Sequence, residues 1–285
     1  MPALRQVLVH FFDADRSRDT LRWGAELARR QGAALQVCLA IDSVAGGAYL
    51  SPETAAMATQ LGVEQMQALR AAVTGQLSQF AADLPTSVLT STMDPLGHLV
   101  TASHGADLLV IRQPESEAGL GAGLTARLLV SALCPVLVLP HVGAPVQIGD
   151  SILVAWSHQR ESGRALRDAL PLLRGARTVE VLSLQDGASA SPGWTEMQGW
   201  LGRQGLAATC TRLPAHSEGS MTDRLRRGWE PDASVAETLL NRAADSGADL
   251  IVCGAYGHSR AWELVLGGVT QTLLRSMTVP VLFSH

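Results

Sequence analysis

A tandem pair of doubly wound α/β domains, each with a five-stranded parallel sheet, is the fold class this sequence predicts. Three observations predict it. Short apolar runs alternate with segments of helical period along most of the chain, the pattern of a parallel sheet covered by helices. The pattern stops at Pro140–Asp150, a stretch with two prolines, two glycines and no helical period, and then restarts. Two blocks recur in the same order in both halves. Gly105-Ala-Asp-Leu-Leu-Val matches Gly247-Ala-Asp-Leu-Ile-Val, and Leu128-Leu-Val-Ser-Ala-Leu-Cys-Pro135-Val-Leu-Val matches Leu273-Leu-Arg-Ser-Met-Thr-Val-Pro280-Val-Leu-Phe. The expected organisation is a first domain over residues 1–141, a linker over 142–150 and a second domain over 151–285.

In the first half, Val7–Phe12 reads as a strand, and Leu21–Gln31 as a helix with Leu21, Ala25 and Ala28 on one face, closed by Gly32. Ala34–Ile41 is the second strand. Glu53–Asp83 is a long Ala/Gln/Leu/Met-rich helix with a break expected near Gly62. Ser87–Thr92 is a more polar strand, expected at a sheet edge. Pro95–His104 is a helix with Leu96, Leu99, Val100 and Ser103 inward, Asp107–Ile111 a strand, Leu120–Leu133 a helix and Val136–Leu139 the fifth strand. In the second half, strands are expected at Ser151–Trp156, Val179–Leu184, Leu206–Leu213, Leu250–Cys253 and Val279–Phe283. Helices are expected at Glu161–Leu173, Trp194–Arg203, Val235–Ser246 and Val269–Ser276. Pro214–Asp232 is longer than an ordinary connection and holds Trp229; it reads as a surface insertion, a partner-binding loop or a flap over a site.

Composition narrows the function. The chain of 285 residues is 47% hydrophobic but only 4% aromatic, so its cores are aliphatic. A net charge of −4 and a pI near 6.1 argue against a nucleic-acid partner. No apolar run approaches the roughly 18 residues that a membrane span needs, and the first residues lack a signal-peptide layout, so a cytoplasmic location is expected. Cys38, Cys134, Cys210 and Cys253 are widely spaced and read as buried reduced thiols rather than metal ligands or disulfides. No Ser/His/Asp set, paired metal ligands or cysteine pair argues for an enzyme. The adjacent His258 and Ser259 do not make a nucleophile–base pair on a loop, and the other histidines are scattered.

The richest chemistry lies at the end of the second half. The strand Leu250–Cys253 runs into a loop with Gly254, Gly257, Gly267 and Gly268, and then into a helix beginning at Val269. Strand, glycine loop and helix start make a phosphate-binding order of parts. Glycine lets backbone N–H groups approach an anion, and the helix start adds unpaired N–H groups and partial positive charge. The same loop also reads as an inherited tight turn that binds nothing.

With its spacing Gly254-x2-Gly257-x9-Gly267, followed by Gly268-Val269-Thr270, the sequence resembles the universal stress protein family in its tandem two-domain form. The resemblance covers nearly the whole chain at fold level and is most specific over about the last 40 residues. It implies the doubly wound fold of the adenine nucleotide alpha hydrolase-like group. It also implies ATP or AMP as ligand, with Mg2+ accompanying ATP, and a role as a stress-response sensor or regulator with at most slow hydrolysis. The site it implies takes in Gly254, Gly257, His258, Gly267, Gly268, Val269 and Thr270. The base falls between the ends of two strands, at Ala155, Trp156 and Leu184. Two positions depart from the family pattern. Gly268 stands where nucleotide-binding members carry a hydroxyl, and Trp156 ends a strand that often ends in Asp. Trp156 reads either as a ligand contact or as packing that blocks the base. Arg260 reads either as a phosphate neutraliser or as a solvated loop charge.

The first half keeps the layout without the motif. Arg112 aligns with Gly254, Pro114–Glu117 replaces the Gly257 region, and Ala122 stands at the Gly267 position, although Gly119, Gly121 and Gly123 remain. Glu115 and Glu117 would repel phosphate, so a structural role without an orthodox nucleotide site is expected there. Beside the nucleotide-binding reading stands a nucleotide-free protein-interaction module, built as an internal pseudo-dimer through the strands 136–139 and 279–283 and open to homodimerisation. The protein partner is not specified by the sequence.

Overall fold

The computed structural model describes residues 3–40, 51–91, 94–115, 120–142, 147–184, 192–214, 231–256 and 268–285. The chain divides into two units, residues 1–139 and 140–285. In the first, strands β1 (Gln6–Phe11), β2 (Ala34–Ala40), β3 (Thr86–Ser91), β4 (Leu108–Arg112) and β5 (Val136–Leu139) alternate with helices Arg18–Gln31, Pro52–Phe80, Pro95–Ser103 and Ala122–Ser131. In the second, β6 (Ser151–Trp156), β7 (Thr178–Leu184), β8 (Ala208–Leu213), β9 (Leu250–Gly254) and β10 (Val281–Ser284) alternate with helices Arg160–Asp168, Leu170–Leu173, Pro192–Arg203, Pro231–Ser246 and Gly268–Ser276.

Within each unit every strand pairing is parallel. The strand order is β3-β2-β1-β4-β5 in the first unit and β8-β7-β6-β9-β10 in the second, as expected for a doubly wound sheet. The inner strands are continuous apolar runs because helices bury both faces: Val7, Leu8, Val9 and Phe11 on β1, and Leu250, Ile251 and Val252 on β9, are wholly enclosed. The polar β3 lies at an edge, with Thr86, Ser87 and Val88 exposed. Three cysteines are buried and Cys210 is half-buried, all as thiols; burial pushes Cys38 and Cys253 up to about 12.

Two helices differ from expectation. Pro52–Phe80 runs through Gly62 without a break, started by Ser51, whose hydroxyl accepts the Thr54 N–H. One glycine costs a helix about 1 kcal/mol against alanine, which does not interrupt a helix of this length. The segment predicted as one helix over Glu161–Leu173 is two, divided at Ala169. Pro171 has no N–H to donate back into the preceding turn, so the chain re-forms its bonding around the Ala169 carbonyl, which accepts from Leu172 and Leu173 (2.9 Å each).

The repeated Gly-Ala-Asp has a structural purpose. Asp107 Oδ2 accepts the N–H groups of Arg5 (2.7 Å) and Gln6 (2.9 Å), where β1 begins. Asp249 does the same at β6, accepting from Gly149, Asp150 and Ser151. Each aspartate also donates its own N–H to the neighbouring strand, Asp107 to Gln6 O and Asp249 to Ser151 O. The carboxylate thus ties the start of the first strand to the start of the fourth. Asp249→Ala leaves three backbone donors without this acceptor and is expected to destabilise the second unit by about 1–3 kcal/mol in urea unfolding, whereas Asp249→Asn retains part of the loss.

His10 is the one fully enclosed imidazole among the described residues. It stacks on Phe12 (5.4 Å between ring centres), and its Nε2–H donates to Ala40 O (3.1 Å). Burial lowers its pKa from 6.5 to about 4. The folded chain therefore keeps His10 neutral where the unfolded chain protonates it. Its share of stability is complete above pH 6.5 and declines as pH falls towards 4, by on the order of 3 kcal/mol in all at about 1.4 kcal/mol per pH unit. Urea unfolding of the wild type and of His10→Asn between pH 7 and pH 4.5 measures this; the variant is expected to have the shallower acid limb.

Candidate functional site

In the second unit the strand order reverses between β6 and β9, and the C-terminal ends of these strands flank the crevice where doubly wound sheets hold ligands. β9 ends at Gly254. Ala255 then donates its N–H to Ser284 O (2.7 Å), and Tyr256 turns the chain through a left-handed conformation (φ 60°). Residues 257–267, which include Gly257, His258, Arg260 and Gly267, lie outside the described residues. The chain resumes in the helix Gly268–Ser276, whose first N–H groups have no partner within the helix. Gly268 and Val269 are half-buried at its start and Thr270 is 2% exposed.

The face each side chain takes follows from the register. Glu180 on β7 is held by Arg242 of the helix Pro231–Ser246 through bonds of 2.8–3.1 Å, and that helix packs against Gly268–Ser276. Residues in step with Glu180 on β7, Leu182 and Leu184, share that face, as does Ala155, the registered partner of Leu182. The structure thus brings Ala155, Leu184 and the helix start at Gly268–Thr270 to one face at one end of the sheet. Trp156 takes the other face. It is registered with Ser183, and a Cβ on Gly163 of the helix Arg160–Asp168 would meet its ring at 4.0 Å. His158 lies edge-on to Trp156 (5.7 Å) and tilted against Trp194 (6.3 Å); burial first, then nearby Arg212, lowers its pKa. Trp156 is therefore helix-side packing, away from the Gly268 face.

Gly254 is required sterically whatever binds there. A Cβ at this position would come within 2.6 Å of the Glu161 carbonyl carbon and 2.7 Å of the Ser162 nitrogen. Three polar atoms around these strand ends are buried without a hydrogen-bond partner among the described residues: Trp156 Nε1, Ser183 Oγ and Tyr256 Oη. Buried polar groups are nearly always bonded, so each of these atoms calls for a partner beyond the described residues. Sequence reading passed over Ser183 and Tyr256. The available signal was the alternation Val179, Val181, Ser183, where a hydroxyl interrupts an apolar face.

The first unit ends differently. Gln113 donates to Leu139 O (2.7 Å) as Ala255 does to Ser284 O, which puts Arg112 at the place of Gly254. Phe11 and Leu39, both fully buried, stand at the places of Trp156 and Ser183. Asp13 accepts the N–H groups of Asp15 (3.0 Å) and Arg16 (2.8 Å) within its own loop.

A repeated doubly wound domain, with a glycine-led strand-to-helix connection at the switch point of its second copy, is the class of protein these features define. The universal stress protein family model matches residues 4–140 and again 150–285, and the chain belongs to that family. A curated universal stress protein of Synechocystis sp., Slr1230, is 41% identical over 46 residues, which is 16% of this chain and 16% of that protein's length. Among solved structures, a universal stress protein from Archaeoglobus fulgidus superposes with a TM-score of 0.73 at 16% identity, covering 98% of this chain and 97% of that one. A universal stress protein structure from Pseudomonas aeruginosa gives 0.55 at 14% identity, over 99% and 93%. At these identities the structural likeness speaks for the fold alone. Among the described residues no helix is long and apolar enough to cross a membrane.

Gly254→Ala is expected to lower stability by about 1–3 kcal/mol in urea unfolding, with or without nucleotide present, because its methyl group must displace backbone of the Arg160–Asp168 helix.

Proposed function

We propose that the second unit binds an adenine nucleotide, ATP or AMP, and that the protein acts as a stress-response sensor or regulator rather than a catalyst. One observation carries the reading. The crevice end of β9 leads through the spacing Gly254-x2-Gly257-x9-Gly267 to a helix start at Gly268–Thr270, on the face shared with Ala155 and Leu184. Backbone N–H groups at the helix start suit a phosphate. Ala155 and Leu184 offer apolar surface to a base. Gly268 supplies no hydroxyl, so the phosphates rely on backbone donors and bind without one hydrogen bond of about 1 kcal/mol. Ligand binding at the helix start would alter a surface that a partner protein reads. Mg2+ would accompany ATP through its phosphates.

A second reading, a nucleotide-free protein-interaction module, draws on a specific observation as well: the close approach of the Glu161–Ser162 backbone by itself accounts for Gly254. Isothermal titration and thermal unfolding with ATP and AMP separate the two. Binding heat is expected, with stabilisation of about 2.7 kcal/mol when nucleotide reaches 100 times its Kd. Absence of heat and of protection at high micromolar nucleotide would overturn the nucleotide reading in favour of the second.

A further inference from the structure

The strand ends of the first unit hold a charged cluster with no counterpart among the described residues of the second. Arg112 closes β4, and its side chain is only 17% exposed. Its Nε donates to Glu115 Oε1 (3.0 Å) and its Nη1 to the Arg16 carbonyl (3.1 Å). Arg16 Nη1 stands 3.4 Å from the other carboxylate oxygen, Glu115 Oε2. One carboxylate therefore sits between two guanidinium groups, one oxygen to each. The place is the counterpart of Gly254, at the reversal of strand order between β1 and β4.

The chain makes room for this cluster. In the second unit only Ser157, His158 and Gln159 separate β6 from the next helix, and that helix crowds Gly254. In the first unit residues 12–17 separate β1 from the helix Arg18–Gln31, and Arg112 fills the added space. Most backbone donors of that loop are already engaged: Phe12 and Asp13 donate to Ser17 Oγ, and Asp15 and Arg16 to Asp13 Oδ1. The guanidinium groups are what the site offers an anion.

We propose that Arg16 and Arg112 form a phosphate-binding site at the strand ends of the first unit, and that Glu115 occupies it as a tethered anion. Two forked, permanently charged donors around one oxyanion are the geometry that recognises phosphate. Arg16 and Glu115 are 46% and 28% exposed, so an ion pair of this kind adds little stability and solvent reaches it. Glu115 lies three residues from Arg112, which gives its carboxylate a high effective concentration and weakens external anions. If it is seated nine-tenths of the time, its removal strengthens phosphate binding about tenfold. The site is separate from the nucleotide site proposed for the second unit and does not rest on it.

Glu115→Gln keeps the shape of the side chain and removes its charge. Isothermal titration of the full chain with inorganic pyrophosphate is expected to show, for this variant, one more site per chain than the wild type at the same concentrations, or about tenfold tighter binding at that site. Adding Arg112→Gln is expected to abolish the gain. Titration with AMP shows whether a nucleotide's phosphate is taken as well as the free anion. The gain is read against the wild type, so a second unit that binds nothing lowers the baseline and leaves the increment readable. An unchanged urea midpoint shows that Glu115→Gln is folded. Titrations of Glu115→Gln and wild type that coincide with both ligands, or a gain that survives Arg112→Gln, would overturn the proposal.

Discussion

Each unit depends on one carboxylate that binds the start of its first strand to its fourth. The strands Gln6–Phe11 and Leu108–Arg112 come from distant parts of the chain, as do Ser151–Trp156 and Leu250–Gly254, and each pair must lie side by side for the strand order to reverse. Asp107 and Asp249 secure this by accepting backbone N–H groups where the first strands begin. In the second unit the backbone reaches the aspartate through Gly149 and Gly247, both with positive φ (86° and 65°), a conformation that costs glycine nothing sterically. The tie sits at the opposite end of the strands from the crevice. The framework and the functional end can therefore change independently, which is why both copies retain the aspartate while their crevice ends have little in common.

The framework was legible because it rests on periodicity and composition. Continuous apolar runs such as Val7–Val9 and Leu250–Val252 announce parallel strands buried on both faces, and the repeated blocks announce two copies. The polar third strand read correctly as an edge. What could not be read was the distance between elements adjacent in space and remote in sequence. Gly254 looked like a phosphate glycine, and the structure adds a second demand on it, the approach of the Glu161–Ser162 backbone. Trp156, at the end of a strand beside the crevice, read either as a base contact or as packing; its registration with Ser183 and its approach to Gly163 place it against the helix Arg160–Asp168. Glu115 looked repulsive to phosphate until Arg16 and Arg112 were found on either side of it.

The two copies show how one scaffold admits opposite electrostatic solutions at the same place. In the first, a longer connection after the first strand accommodates a bulky cation, and the chain supplies the counter-charge. In the second, a short connection brings a helix so close that only glycine fits, and among the described residues there the helix start offers backbone N–H groups and its dipole. Loop length after the first strand thus governs which residue closes the fourth, a coupling between segments almost a hundred positions apart.

The enclosed thiols have a further consequence. A sulfur held protonated in the core is inert to alkylating reagents until the surrounding strands part, since the thiolate is the reactive form. Cys38 lies in the second strand of one unit and Cys253 in the fourth strand of the other. The chain therefore carries an internal clock in each half. Modification at either sulfur proceeds at the pace of local opening, and the ratio of the two rates compares the cohesion of the halves within a single intact molecule.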